Sequence, residues 1–289
     1  MANQDRKNSG RHCLRVSLSL IGVFDSGVGG LSILDEALRQ FPEHDYIYLA
    51  DSANAPYGEK SSKWISERSL ELCQYLASKG CDAIVVACNT ATAEAIIQIR
   101  LMLGDLPIVG VEPGIKPASM QTQNGIVGVL ATDATLNSDK FNSLLATLPT
   151  NCRFIKQTGV GLVSLIESGK ANAPETIELL SKYLEPIQKS GADTLVLGCT
   201  HYPFLAHSIR KILGHEIKLI DTSEAVIRQL GKRLPQTATA QKENRLGMLT
   251  LVSSSNGTTL LKMTRDLITS DLKMYSICEH TIGTTDLKI

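Results

Sequence analysis

The sequence predicts an α/β fold: two pseudo-symmetric α/β domains with mostly parallel sheets, and an active site at the interdomain cleft. Three observations carry this expectation. Short β-branched runs alternate with stretches of helical periodicity, the signature of layered α/β architecture. The outline LIGVFDSGVGGLSIL (20–34), an apolar strand, a small polar loop and a helix, returns in GIVGVLATDATLNSDKF (125–141). AIVVACNT (83–90) is echoed by TLVLGCTH (194–201). Aligning Val23 with Val129 gives an offset of 106 and aligning Cys88 with Cys199 gives 111, so two independent features repeat at nearly one spacing.

Taken in order, IGVF (21–24) reads as a buried strand, and Leu31, Leu34, Leu38 and Phe41 then fall at helical spacing. YIYLA (46–50) is the next strand, followed by the loop DSANAPYGEK. A helix carrying Ile65, Leu72 and Leu76 ends at Gly80, a natural position just past a helix C-terminus. AIVVAC (83–88) is a third strand, with a helix beginning near Thr92 and a strand at PIVGV (107–111). PQTATAQKEN (235–244) reads as a polar surface connection. LGMLTLV (246–252) and TLLKMTRDLI (259–268) read as a strand and a helix with no counterpart in the repeat. The expected division is a flexible N-terminal extension over 1–20, a first domain of 21–112 plus 224–289, and a second domain of 113–223.

Composition narrows the function classes. Of 289 residues, 43% are hydrophobic and 20% charged, which supplies a sizeable core and argues against a disordered chain. Lys plus Arg and Asp plus Glu both number 29, so a basic surplus for nucleic acid is lacking, and 4% aromatics leave few stacking platforms. No apolar stretch approaches the ~18–20 residues of a membrane span. Arg6, Lys7, Arg11 and Arg15 precede only a short apolar run that enters DSGVGG directly, unlike a signal peptide. The seven cysteines are odd in number and form no C-x-x-C unit, so neither a disulfide framework nor a zinc ribbon is indicated, and a cytoplasmic location is expected.

Cys88 and Cys199 each close an apolar strand and precede small polar residues, at the sheet edge where α/β proteins bind ligands. If the halves face each other, two sulfurs converge on one small molecule. Opposed thiols suit inversion of a carbon bearing an acidic hydrogen, because one thiolate removes the proton while the other thiol delivers one to the opposite face. Cys13, Cys73, Cys81, Cys152 and Cys278 lack this context and read as structural. Asp25 and Ser26 end the first strand beside Cys88, and His201 follows Cys199 by two residues. Asn89, Thr90 and Thr200 offer uncharged donors near helix N-termini for a carboxylate. Thr92 and Ser32 read as helix caps. DSGVGG departs from G-x-G-x-x-G and from the phosphate-loop pattern, so its glycines are read as allowing backbone to approach a small ligand closely. Zinc held by Cys88, Cys199, His201 and Asp25, and a Cys–His hydrolase, are the readings from other classes.

FDSGVGGLS (24–32), ADSANAPYGEK (50–60), VVACNTATA (85–93), VGVEPGIKPA (109–118) and LGCTHYPFL (197–205) together resemble the glutamate racemases of the aspartate/glutamate racemase superfamily. The resemblance runs from about Ile21 to Ala225, and the part after Pro235 adds little to it. It implies cofactor-independent interconversion of L- and D-glutamate, supplying D-glutamate for peptidoglycan. Aspartate or a related amino acid is the alternative substrate within the superfamily. It further implies that Cys88 takes the α-proton of D-glutamate and Cys199 that of L-glutamate, with Asp25 assisting the first and His201 and Glu167 the second. Substrate contacts carry over to Asp25, Ser26, Tyr57, Gly58, Asn89, Thr90, Thr132, Thr135, Thr200 and His201. In LATDATL the pair Asp133-Ala134 stands where relatives often place a glycine before the second threonine. The partners implied are glutamate and a UDP-N-acetylmuramoyl-alanine-type activator, with no metal, nucleic acid or membrane, in a monomer or homodimer.

Overall fold

The computed structural model describes residues 18–148, 150–234, 246–283 and 286. The polar connection expected at 235–244, Cys13, and the extension except for residues 18–20 lie outside the described residues. In the first sheet, β1 (Leu20–Asp25), β2 (Asp45–Ala50), β3 (Ala83–Val86) and β4 (Ile108–Gly110) lie in the order β2-β1-β3-β4. In the second, β5 (Ile126–Ala131), β6 (Arg153–Thr158), β7 (Thr194–Gly198) and β8 (Lys218–Ile220) lie in the order β6-β5-β7-β8. The two orders are the same, and every pairing is parallel.

The register repeats as well. Val23 pairs with Val85 and Val129 pairs with Val196, so each central strand meets its neighbour three residues ahead of a cysteine, Cys88 or Cys199. The near-continuous apolar runs follow from burial on both faces, which parallel sheets require. Along β1, Ile21 and Val23 join the larger core cluster while Phe24 points to the opposite layer. Gly22 faces that layer too, where a Cβ would stand 3.1 Å from Cys81 Sγ and from Leu76 Cδ1.

The helices fill the layers. α1 (Leu31–Gln40) buries Leu31, Ile33, Leu34, Ala37 and Leu38. α2 (Ser62–Ser78) starts on the Ser61 side chain and gives way to Gly80 at φ +81°, the left-handed conformation that glycine adopts without a Cβ penalty. α3 (Asn89–Leu103) follows β3. The chain crosses to the second half after β4 and continues through α4 (Ile115–Gln121), α5 (Asp133–Asn137), α6 (Asp139–Ala146), α7 (Leu162–Glu167), α8 (Pro174–Lys189) and α9 (Ala206–Leu213). It returns through α10 (Ser223–Gly231), which packs on α1.

The strand and helix read after residue 245 have a definite place. β9 (Gly247–Ser253) adds to β2, and β10 (Tyr275–Thr281) adds to β9, both in parallel. The crossover such a pair needs is α11 (Gly257–Leu267). Asp35 on α1 clasps the turn after α11, accepting from Thr269 N, Thr269 Oγ1, Ser270 N and Ser270 Oγ. The first sheet thus has six strands and the second four. No helix among the described residues is long and apolar enough to cross a membrane.

Two boundaries differ from expectation. β1 begins at Leu20, inside the expected extension, because Leu20 N is held by the Asp82 carboxylate at 2.8 Å and Leu20 pairs with Asp45. α3 begins at Asn89 rather than near Thr92, because Cys88 is itself the cap: its Sγ accepts from Ala91 N at 3.4 Å. Thr92 is no cap; its hydroxyl donates back to Val86 O at 3.0 Å.

Candidate active site

The carboxyl ends of the central strands of both sheets meet, and their side chains form two hydrogen-bonded groups, Cys88–Ser26–Asp25–Thr200 and Cys199–His201–Glu167, linked to each other through the backbone. Asp25, the last residue of β1, is fully buried. Its Oδ1 accepts from Gly27 N at 2.8 Å and from Ser26 Oγ at 3.5 Å, and its Oδ2 accepts from Thr200 Oγ1 of the other half at 3.0 Å. Cys88 Sγ donates to Ser26 Oγ at 3.5 Å, placing the first thiol one hydroxyl away from Asp25. Beyond Thr200 the chain turns, so that Cys199 Sγ and His201 Nδ1 stand 3.7 Å apart. His201 Nε2 meets Glu167 Oε1 at 2.5 Å, and the same oxygen accepts from Val28 N of the first half at 2.7 Å.

The glycines of DSGVGG acquire a different purpose from the one expected. They make room for side chains from the other half, not only for a ligand. A Cβ on Gly27 would lie 1.9 Å from Glu167 Oε1, and one on Gly29 would lie 2.3 Å from His201 Nδ1 and 2.6 Å from Thr200 Oγ1. Tyr48 fixes this loop from below by donating its buried hydroxyl to Gly27 O at 2.6 Å. Ser32, expected as a helix cap, instead bridges the halves: its Oγ donates to Gly29 O at 2.9 Å and to Thr200 O at 3.1 Å.

The two thiols sit in unlike fields. Burial, then the nearby Asp25 charge, pushes Cys88 up to about 12. Burial also raises the Asp25 carboxyl above its usual range, against the pull of His201 and of the Gly27 amide. Burial alone would lower His201, but its contacts to Cys199 and Glu167 outweigh it and hold the imidazole well above its ordinary value. One thiol thus faces a carboxylate through a hydroxyl, while the other faces a histidine that favours its cationic form.

The remaining expected contacts divide. Thr90 Oγ1 and Thr132 Oγ1 meet across the cleft at 3.0 Å, and Thr132 Oγ1 donates to Thr135 Oγ1 at 2.8 Å, forming a hydroxyl chain spanning both halves. Asn89 and Thr135 share a cavity of about 130 Å³ with Val111, Glu112 and Pro113, where the chain crosses between halves. Gly58 approaches Thr132 closely, since a Cβ there would stand 3.0 Å from Thr132 Cβ. Tyr57 is buried beside it, but its hydroxyl is committed to Asp51 Oδ2 at 2.6 Å. Among the described residues no group of three His, Cys, Asp or Glu side chains could hold a metal ion.

Residues 21–230 match the family model for Asp/Glu/Hydantoin racemase. The chain belongs to that family. Its relatives within it are glutamate racemases, and the chain is accordingly an enzyme, an isomerase of glutamate racemase type. The Ralstonia nicotianae glutamate racemase is 52% identical over 214 residues, covering 74% of this chain and 77% of the relative. That of Cupriavidus pinatubonensis is 47% identical over 248 residues, covering 86% and 91%. Among solved structures, glutamate racemase RacE1 of Bacillus anthracis superposes with a TM-score of 0.78 at 27% identity, covering 92% of this chain and 98% of that one. The Escherichia coli glutamate racemase, solved with L-glutamate and the activator UDP-MurNAc-Ala, gives 0.78 at 31% identity, covering 91% and 98%. The racemase family and the mixed α/β, parallel-sheet fold are thereby established for this chain as the sequence led one to expect.

Proposed function

We propose that the cleft carries out two-base racemisation of glutamate with no cofactor, using Cys88 and Cys199 on opposite faces of the α-carbon. The observation that carries this reading is the placement of both cysteines at register-equivalent ends of sheets that share a four-strand order, with buried hydrogen bonds running from Cys88 to Thr200, the residue next to Cys199. From L-glutamate, the Cys199 thiolate takes the α-hydrogen as a proton, and the electron pair left on carbon is delocalised into the adjacent carboxyl group. The Cys88 thiol then delivers its proton to the opposite face, leaving D-glutamate, a Cys199 thiol and a Cys88 thiolate. The reverse reaction exchanges the roles, and the free thiols re-equilibrate with solvent between turnovers.

The flanking groups serve the two thiols differently. His201, paired with Glu167 at 2.5 Å, stands 3.7 Å from the Cys199 sulfur, within reach to exchange a proton with it. Asp25 acts on Cys88 through Ser26, a path of two contacts of 3.5 Å along which a proton can pass. Thr90, Thr132, Thr135, Thr200 and Asn89 supply neutral polar groups for the two carboxylates of the substrate, which is how a chain of zero net charge binds a net monoanion. The product serves peptidoglycan synthesis in the cytoplasm, where the thiols stay reduced. Cys88→Ala and Cys199→Ala should each abolish racemisation with the fold retained; activity in either variant would overturn the reading. Turnover of glutamate far above that of aspartate is expected, and the reverse would move the chain to the aspartate branch.

A UDP-MurNAc-Ala-type activator is part of the same proposal. Arg100 Nε and Nη2 and Arg233 Nη1 converge on the single carbonyl of Ile108 at 3.3–3.4 Å, just before the chain crosses between the halves. Neither guanidinium pairs with a carboxylate among the described residues, so this corner suits the diphosphate of such a nucleotide. Titrating activity with the nucleotide tests it, and full activity in its absence would sink it.

A further inference from the structure

We infer that Arg68, which touches neither a cysteine nor any member of the network between them, is a positioning residue for glutamate binding. It acts by holding the 51–59 loop against the cleft. Arg68 lies on α2 with its side chain only 11% exposed. It grips the fully buried Asp51 with two bonds, Nε to Oδ2 at 2.9 Å and Nη2 to Oδ1 at 2.7 Å. A bidentate pair of this kind fixes a carboxylate in angle as well as distance.

Asp51 gathers the loop around itself. It accepts from Tyr57 Oη at 2.6 Å and from Asn54 Nδ2 at 3.0 and 3.1 Å, while its own amide donates to the carbonyl of Asp25 at 3.0 Å. The loop that carries Gly58 up to Thr132 is therefore gathered by the Asp51 carboxylate and tied, through the Asp51 amide, to the strand that ends in the site. Without the guanidinium, Asp51 keeps only neutral donors and a buried charge, and the tie to Tyr57 loosens. Burial works against ionised Asp51, and the bonds from Arg68 and Tyr57 overcome it.

The chain carries its own reporter. Its single tryptophan, Trp64, meets the Tyr57 ring edge-on, with centroids 5.2 Å apart and planes at 86°. Arg68→Gln should raise KM for both glutamate enantiomers ~10-fold or more while kcat stays within about threefold, because the loop presents the substrate but moves no proton. Arg68→Lys, which keeps the charge but loses the fork, should recover part of the loss. Acrylamide quenching of Trp64 emission should increase in Arg68→Gln and fall back when glutamate saturates the site.

A folded Arg68→Gln enzyme with wild-type KM, or one whose KM rises with Trp64 quenching unmoved, overturns the inference. Should Arg68→Gln fail to fold, Tyr57→Phe cuts the same tie without stranding a charge; raised KM and quenching support the inference, and wild-type values of both overturn it. The inference rests on the racemase reading, and the two fail separately. A wild-type chain that does not interconvert the glutamate enantiomers defeats that reading, whereas an active wild type with an unaffected Arg68→Gln defeats only the role of Arg68.

Discussion

Replacing Gly27 with alanine should slow racemisation about 10- to 150-fold while the fold survives. Gly27 is not among the glycines of positive φ, so the backbone accepts a Cβ without strain. The methyl group would instead land 1.9 Å from Glu167 Oε1 and 2.5 Å from Glu167 Cδ. The carboxylate, being the end of a flexible side chain, swings away and gives up its bond from Val28 N and its contact with His201. A hydrogen bond to a charged group is worth about 1.5–3 kcal/mol, and at about 1.4 kcal/mol per factor of ten this sets the expected range.

Because the two enantiomers are equal in energy, kcat/KM must fall equally in both directions; the asymmetry appears in isotope effects. With Cys199 less well supported, α-deuterated L-glutamate should show a larger substrate isotope effect and α-deuterated D-glutamate a smaller one. The assay is circular dichroism of glutamate under initial-rate conditions, beside Glu167→Ala and the double variant. The double variant should be no slower than Glu167→Ala alone, since both changes remove the same contacts of Glu167. Additive losses, or a Gly27→Ala enzyme at the wild-type rate, would refute the reasoning.

Further outcomes follow from the same contacts. Asp35→Ala should lower stability by about 2–3 kcal/mol through the lost clasp on Thr269 and Ser270, with kcat/KM unchanged in the surviving fold. Although burial opposes it, bonding from Ser270 and Thr269 holds the Asp35 carboxyl below its ordinary 3.8, so the clasp acts above that pH and is lost as pH falls through the lower folded value. The gap in melting temperature between wild type and Asp35→Ala should therefore close in strong acid. His201 is shifted the other way, so its pairing with Glu167 stabilises fully below about pH 6.5 and fades as pH rises through the higher folded value. Wild type minus Glu167→Gln should show that trend in thermal melts. Thiolate absorbance of Cys88, taken as the difference between Cys199→Ser and the Cys88→Ser/Cys199→Ser double variant, should rise only toward about pH 12, and Asp25→Asn should move it lower by removing a like charge.

What the sequence made legible was its local and periodic content. The repeat offsets located the two cysteines, and the four strands the sheets share then proved to have the same order, with each cysteine at the same register position. Contacts between distant segments were less accessible. The glycines of DSGVGG signalled close approach, yet nothing local says that Glu167 and His201 are what approaches. Ser32, the second residue of α1, looks like any capping serine, and its bond to Thr200 exists only because the halves face each other. Cys88 as the cap of α3 was hidden because thiols are rarely read as caps. Arg68 lies 17 positions beyond Asp51 on a helix surface of mixed charge, with no spacing rule to join them. The β9 and β10 strands were visible as elements, but their place on β2 depends on pairing that periodicity does not encode.

The central claim is that separate thiols work on opposite faces of one carbon. Its most direct test is racemisation of L-glutamate in deuterated water, sampled within the first few per cent of conversion. The account predicts deuterium at the α-carbon of essentially all D-glutamate formed and almost none in the recovered L-glutamate, because Cys199 removes protium and Cys88 delivers a solvent-derived deuteron. Deuterium entering both enantiomers at equal rates from the start, as one shared base would produce, would contradict it.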